Sequence, residues 1–256
     1  MSWDLPDFMA KGNSIIEVKN LNKSFGQHHV LRDFSLTLSE GENLVILGKS
    51  GSGKSVLIKC IIRLIEPDSG RITVLDQDIS LLDQDEMDLL RADVGFLFQS
   101  NALYDSMTVR KNLEFPLRRH WTKEERAKNA ESAVKEALED VGLLHTINMM
   151  PAELSGGMRK RIALARTIIL KPKVILYDEP TTGLDPITAR EISELMNRIQ
   201  EKYNTASVII SHDMNCIRMT ANRIIMLIEG KNYAEGTFEN LIKYQDPKVR
   251  EFFEGL

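Results

Sequence analysis

Short runs of β-branched and aromatic residues alternate along this chain with stretches whose apolar positions recur every three or four residues. Between residue 15 and about residue 98 the short runs dominate. Residues 15–19, 30–38, 43–47, 71–75 and 94–98 read as strands, with Gly26, Glu40-Gly41 and residues 67–70 as the turns between them. From 99 to about 170 the period becomes helical. Ala127, Ala130, Val134, Ala137, Leu138 and Val141 share one helix face, and Thr122 stands three residues before Glu125 at capping-box spacing. Alternation then resumes: strand 174–177, helix 187–201, strand 207–211, helix 215–220, strand 223–228. This order predicts a mostly parallel sheet covered on both faces. No flexible linker flanks the block at about 100–170, so it reads as a lobe inserted into one domain spanning 15–256. Residues 1–14 are expected to be a frayed tail rather than a docking element.

Composition narrows the class. Hydrophobic residues at 43% and charged residues at 27% describe a globular chain, neither disordered nor fibrous. The formal net charge of −4 argues against a mainly electrostatic nucleic-acid binder. No apolar run approaches the roughly 18 residues that a membrane span needs, and the first residues lack the pattern of a signal peptide. A soluble, cytoplasmic chain is the expectation. Cys60 and Cys216 lie in apolar surroundings far apart in sequence, so two reduced core thiols are expected.

The chemistry concentrates in three places. Gly48, Ser50, Gly51, Ser52, Gly53, Lys54 and Ser55 belong to a G-x-x-x-x-G-K-S loop, with Val56 following, between a strand and a helix. Its glycines let successive N–H groups converge on one anion, and the helix N-terminus adds positive potential. Lys54 would reach the β- and γ-phosphates and Ser55 would bind Mg²⁺. Strand 174–177 ends in Asp178 and Glu179, which places both carboxylates at the sheet edge where open α/β sheets bind ligands. Asp178 suits the Mg²⁺ shell and Glu179 suits a water-activating base. Ser155, Gly156 and Gly157 open another helix and make a second anion nest. One nucleotide does not need two nests on one chain, so the second is expected to face ATP held by another copy.

On these motifs the sequence resembles the ATP-binding subunits of ABC transporters from about residue 15 onward. The resemblance implies an α/β P-loop NTPase (RecA-like) core, an N-terminal antiparallel β region and an inserted α-helical lobe. It assigns Phe25 to adenine stacking and Gln99 to the hinge between core and lobe, where it senses Mg²⁺ and γ-phosphate. It assigns residues 182–185, with Asp185, to the D-loop and His212, after the strand at 207–211, to the switch histidine. Bland readings stay open: Phe25 as a core aromatic, Gln99 as a polar strand end, His212 as a helix cap. His28, His29, His120 and His145 have no metal-ligand spacing and are expected to be solvated. Met149, Met150 and Met158 are expected to fill gaps. The family implies a head-to-tail homodimer with two sandwiched ATP molecules.

The wording of residues 98–109, 151–161, 177–187 and 246–253 is similar to the Mla/Mkl group, which energises phospholipid movement across the bacterial envelope. That likeness implies an MlaE-like integral-membrane permease, an MlaD-like MCE-domain protein and, in some systems, an MlaB-like STAS-domain subunit, with no direct nucleic-acid partner. The chain would then sit peripherally on the inner face of the cell membrane, with the surface around 101–112 docking the permease. Two alternatives stand beside it: an importer ATPase for amino acids or other small solutes, and a soluble ABC ATPase acting on nucleic acid or ribosomes. The absence of a second cassette and of long heptads weighs against the latter, and the second nest weighs against a simple P-loop kinase.

Overall fold

In the computed structural model, residues 13–254 are described, so the tail expected at residues 1–14 falls almost wholly outside them. In chain order the elements are β1 (Ser14–Phe25), β2 (His28–Ser39), β3 (Asn43–Leu47), α1 (Lys54–Ile61), β4 (Ser69–Val74), β5 (Gln77–Asp78), α2 (Gln84–Ala92) and β6 (Val94–Leu97). The lobe follows with α3 (Val109–His120), α4 (Lys123–Asp140) and α5 (Gly156–Ile168). Then come β7 (Val174–Asp178), α6 (Pro186–Tyr203), β8 (Ala206–Ile210), α7 (Met214–Thr220), β9 (Arg223–Ile228), β10 (Lys231–Gly236), α8 (Phe238–Leu241) and α9 (Pro247–Arg250).

Two sheets organise these elements. The larger runs β10-β9-β3-β8-β7-β6, parallel throughout except for antiparallel β10 at one edge. β3, β7 and β8 are buried at every position, as strands covered on both faces must be. The period-two geometry of β3 divides its side chains between two cores. Val45 and Leu47 join the lobe helices and α6, while Leu44 and Ile46 join α1 and the smaller sheet. That smaller sheet, β2-β1-β4-β5, is antiparallel and half-exposed.

The lobe is inserted between β6 and β7, which are neighbours in the sheet. α4 begins at the expected capping box: Glu125 N donates to Thr122 Oγ1 (3.2 Å) and Thr122 N to Glu125 Oε2 (2.7 Å). Val134, Ala137 and Leu138 carry its buried face, whereas Ala127, nearer its start, is exposed. Met149 and Met158 pack against that core as expected. Both cysteines are buried and unpaired, and burial pushes the Cys60 thiol up to about 11. His120 corrects the expectation of a solvated ring. It is half-buried at the end of α3, and loss of solvent lowers its pKa, with the Arg119 charge acting the same way. No helix among the described residues is long and apolar enough to cross a membrane.

One buried ion cluster ties the sheets together. Arg223 donates to Glu42 Oε1 (2.6 Å), Glu42 Oε2 (3.0 Å) and the Thr37 carbonyl (2.6 Å), and pairs with Glu235. Arg223→Ala strands two largely buried carboxylates side by side. A loss of about 3–5 kcal/mol is expected, read as a lower urea midpoint with unchanged slope.

Candidate nucleotide site

β3 delivers the chain to the carboxyl edge of the large sheet, where residues 48–55 turn sharply into α1. The turn demands glycine at two points. A Cβ at Gly48 would lie 2.6 Å from the Leu227 carbonyl oxygen, and Gly53 takes φ +104° as the cap of α1, 2.6 Å from Val30 Cγ1 were it substituted. Lys54 is buried and folds back over the loop, donating to the carbonyls of Gly48 (2.7 Å) and Lys49 (3.0 Å). Burial lowers its pKa, against the opposing pull of Glu179 and Asp178. Ser52 Oγ is buried with no hydrogen-bond partner among the described residues. An unpaired hydroxyl inside a basic loop fits a cradle whose remaining acceptor is a phosphate.

Parallel pairing of β7 with β8 sets the carboxylates beside this loop. Ser55 Oγ donates to Asp178 Oδ1 at 2.9 Å. Glu179 leaves the strand in the left-handed region, φ +51°, a conformation that costs a non-glycine residue about 1–3 kcal/mol and clusters at functional sites. Its backbone N–H still reaches the Ile210 carbonyl (2.9 Å), which pins the turn to β8. Glu179 Oε2 accepts from Thr182 Oγ1 (3.1 Å) and lies 2.8 Å from His212 Nδ1. Asp213, not His212, caps α7.

A cavity of about 750 Å³ is lined by most of these groups, though not by Ser52 or Asp178, which reach it through the loop and through Ser55. The loop residues Gly48, Ser50, Gly51, Gly53, Lys54, Ser55 and Val56 form its floor. Gln99, Glu179 and His212 line it as well, as do Phe25 and His28. Phe25 is 51% exposed, so the core-aromatic reading fails, and Lys23 Nζ sits 5.3 Å from its ring centroid. A hydroxyl, a carboxylate and an amide at the phosphate end make an oxygen set suited to Mg²⁺, which takes one or two protein oxygens plus phosphate and water. Among the described residues no group of three His, Cys, Asp or Glu side chains forms a metal cage.

Ser155, Gly156, Gly157 and Asp185 lie outside this cavity. Ser155 caps α5, its hydroxyl accepting from Met158 N (3.2 Å), and Gly156 is exposed. Asp185 caps α6 through Ile187 N (3.1 Å) and Thr188 N (3.0 Å), and its bonds to Thr188 lower its pKa. The two anion nests of one chain therefore do not share a cavity.

Two contributors were not foreseen. Phe252 lines the cavity from the far C-terminal segment, and its neighbour Glu251 holds Lys49 of the loop at 2.6 Å. The paired aromatics at 252–253 were the one signal available, but nothing in the sequence places them against residue 49.

A family model for ABC transporters matches residues 31–182. The methionine import ATP-binding protein MetN of Campylobacter jejuni is 36% identical over 93% of this chain and 75% of its own length. The probable ribonucleotide transport ATP-binding protein mkl of Mycobacterium leprae is 39% identical over 94% and 69%. The intermembrane phospholipid transport system ATP-binding protein MlaF of Haemophilus influenzae is 38% identical over 94% and 91%. Among solved structures, the dimeric ATP-binding cassette MJ0796 bound to ADP and Pi superposes with TM-score 0.76 at 32% identity, over 87% of this chain and 98% of that one.

Proposed function

Because the chain belongs to the ABC transporter family and is an ATP-hydrolysing subunit of it, we propose that two copies close head to tail on two ATP molecules and drive a permease that moves phospholipid across the cell envelope. One observation carries the motor reading: the phosphate cradle and the Ser155–Gly157 nest lie apart on the same chain, so a complete site needs the loop of one copy and the nest of another.

Within a site the roles divide by chemistry. Phe25 offers an exposed ring for adenine to stack on. The loop N–H groups, Ser52 and Lys54 hold the phosphates. Ser55, Asp178 and Gln99 would hold Mg²⁺, which when bound would supply neutralisation of the phosphate charge. Glu179 takes a proton from the water that attacks the γ-phosphorus as the bond to the β–γ bridging oxygen breaks. Thr182 and His212 fix that carboxylate. Ser155, Gly156 and Gly157 of the second copy face the γ-phosphate, and Asp185 lies at the same junction.

Outside the nucleotide cavity, a groove of about 290 Å³ between β6, α3 and α5 is lined by Phe98, Ala102, Tyr104, Phe115 and Arg166. Tyr104 and Phe115 pack there with centroids 4.8 Å apart and rings inclined at 48°. In this reading the groove is the surface offered to the permease, and the motor works at the inner face of the cell membrane. The wording of residues 98–109, 151–161 and 246–253, together with the MlaF relative, supports phospholipid as the cargo and an MCE-domain protein, with or without a STAS-domain subunit, as companions. The methionine-import relative supports a solute importer as the second reading.

Affinity purification in mild detergent separates these readings. The expected companions are a permease and an MCE-domain chain. A permease with a solute-binding protein overturns the lipid cargo and leaves the motor intact, and ribosomes or DNA overturn transport altogether.

A further inference from the structure

The segment that follows Gln99 carries an unusual backbone. Asn101 and Ala102, neither of them glycine, are consecutive residues in the left-handed region, at φ +64° and +51°. The chain has a similar pair at Leu75–Asp76, but there the paired strands β4 and β5 hold the turn, whereas no hairpin flanks 101–102 and the restraint must come from elsewhere. Asn101 does not supply it, because its Oδ1 is buried without a hydrogen-bond partner among the described residues.

The restraint comes from α5. Lys160, 2% exposed, donates through Nζ to the Gln99 carbonyl at 3.2 Å. Arg166, two turns further along, donates to the Asn101 carbonyl (3.0 Å) and the Ala102 carbonyl (2.8 Å). Three of the four carbonyls from 99 to 102 are thus held by two cations of a single helix. That helix begins at Ser155, the second anion nest. Burial pushes the Lys160 ammonium down to about 8, against the opposing pull of Asp178 and Glu179.

We propose that Lys160 and Arg166 are positioning residues that clamp residues 99–102 in a strained conformation and so lock the Gln99 hinge to the helix carrying the second nest. With the clamp closed, the lobe cannot rotate without dragging Gln99, and Gln99 cannot shift without moving Ser155 and Gly157. The strain at 101–102 stores a bias toward an alternative backbone that appears when the clamp opens. Ala102 and Arg166 also line the groove beside α3, so an occupant of that groove would act on the clamp directly. The proposal rests on the reading of Gln99 as the residue that senses nucleotide.

The test uses the full chain with Lys160→Met and Arg166→Met. Each is expected to keep ATP affinity within about threefold while kcat falls by about tenfold to a hundredfold, the cost of a misplaced hinge. Amide hydrogen exchange at residues 99–103 should quicken about tenfold with β3 and β8 unchanged. Unaltered kcat with unaltered exchange in both variants overturns the clamp. A second pair of substitutions works through the backbone alone at an exposed position. Ala102→Val puts a β-branched side chain in left-handed backbone and should reproduce the kcat loss, while Ala102→Gly removes the strain and should restore much of the rate to Lys160→Met. Failure of the valine variant to slow turnover overturns the proposal even if the methionine variants do not fold, and failure of the glycine rescue does so if they do. Wild-type turnover in Gln99→Ala would refute the reading of Gln99 instead, leaving the exchange at 99–103 to judge the clamp.

Discussion

Glu179→Gln retains ATP and loses turnover by about 10²–10⁴-fold, the range expected when a general base is removed. The amide is nearly isosteric and keeps an oxygen to accept from Thr182, so the left-handed turn and its tie to Ile210 survive. What it cannot do is take a proton from the attacking water. Because the phosphates are held by other groups, the variant should accumulate as a closed, ATP-loaded dimer. Phosphate release measures the first effect, and size-exclusion chromatography with and without ATP measures the second. Turnover near the wild-type rate would remove Glu179 from its role and turn attention to His212, the neighbour at 2.8 Å.

Lys54→Ala fails one step earlier. A hydrogen bond to a charged group is worth about 1.5–3 kcal/mol, so ATP affinity should fall by roughly tenfold to a hundredfold or more. The loss has a second source in the free protein. The lysine ties the carbonyls of Gly48 and Lys49 together from inside the loop, and without it the cradle is no longer preformed. Titration with a fluorescent ATP analogue reports the change. The effect should appear in affinity, whereas the glutamine variant at 179 changes rate, and a lysine variant that bound ATP normally would contradict the assignment.

The sequence carried the sheet and the chemistry unequally. β3, β7 and β9 were legible because fully buried parallel strands leave unbroken apolar runs, and the capped helix α4 because its signal is local. α2 was not read, although Asp83 and Glu86 form a capping box, because only Met87 and Leu90 are buried while Leu89 points outward, which blurs its period. β10 escaped for a related reason: as an edge strand it buries only Ala234 and Gly236. In the site, the loop at 48–55 and the acid pair at 178–179 announce themselves through spacing alone. The roles of Lys160, Arg166 and Phe252 depend on contacts with residues tens or hundreds of positions away, and a basic residue on a helix reads from sequence as a solvated one. His120 misled in the same way, since burial at a helix end leaves no local mark.

The ion pair between Glu251 and Lys49, with Phe252 beside it, has a practical side. The segment at 251–252 is therefore a part of the nucleotide site and not an expendable end. Trimming the chain upstream of Glu251 would release Lys49 of the phosphate loop from its partner and take Phe252 out of the cavity lining. Kinetics recorded on such a shortened protein would describe an altered site.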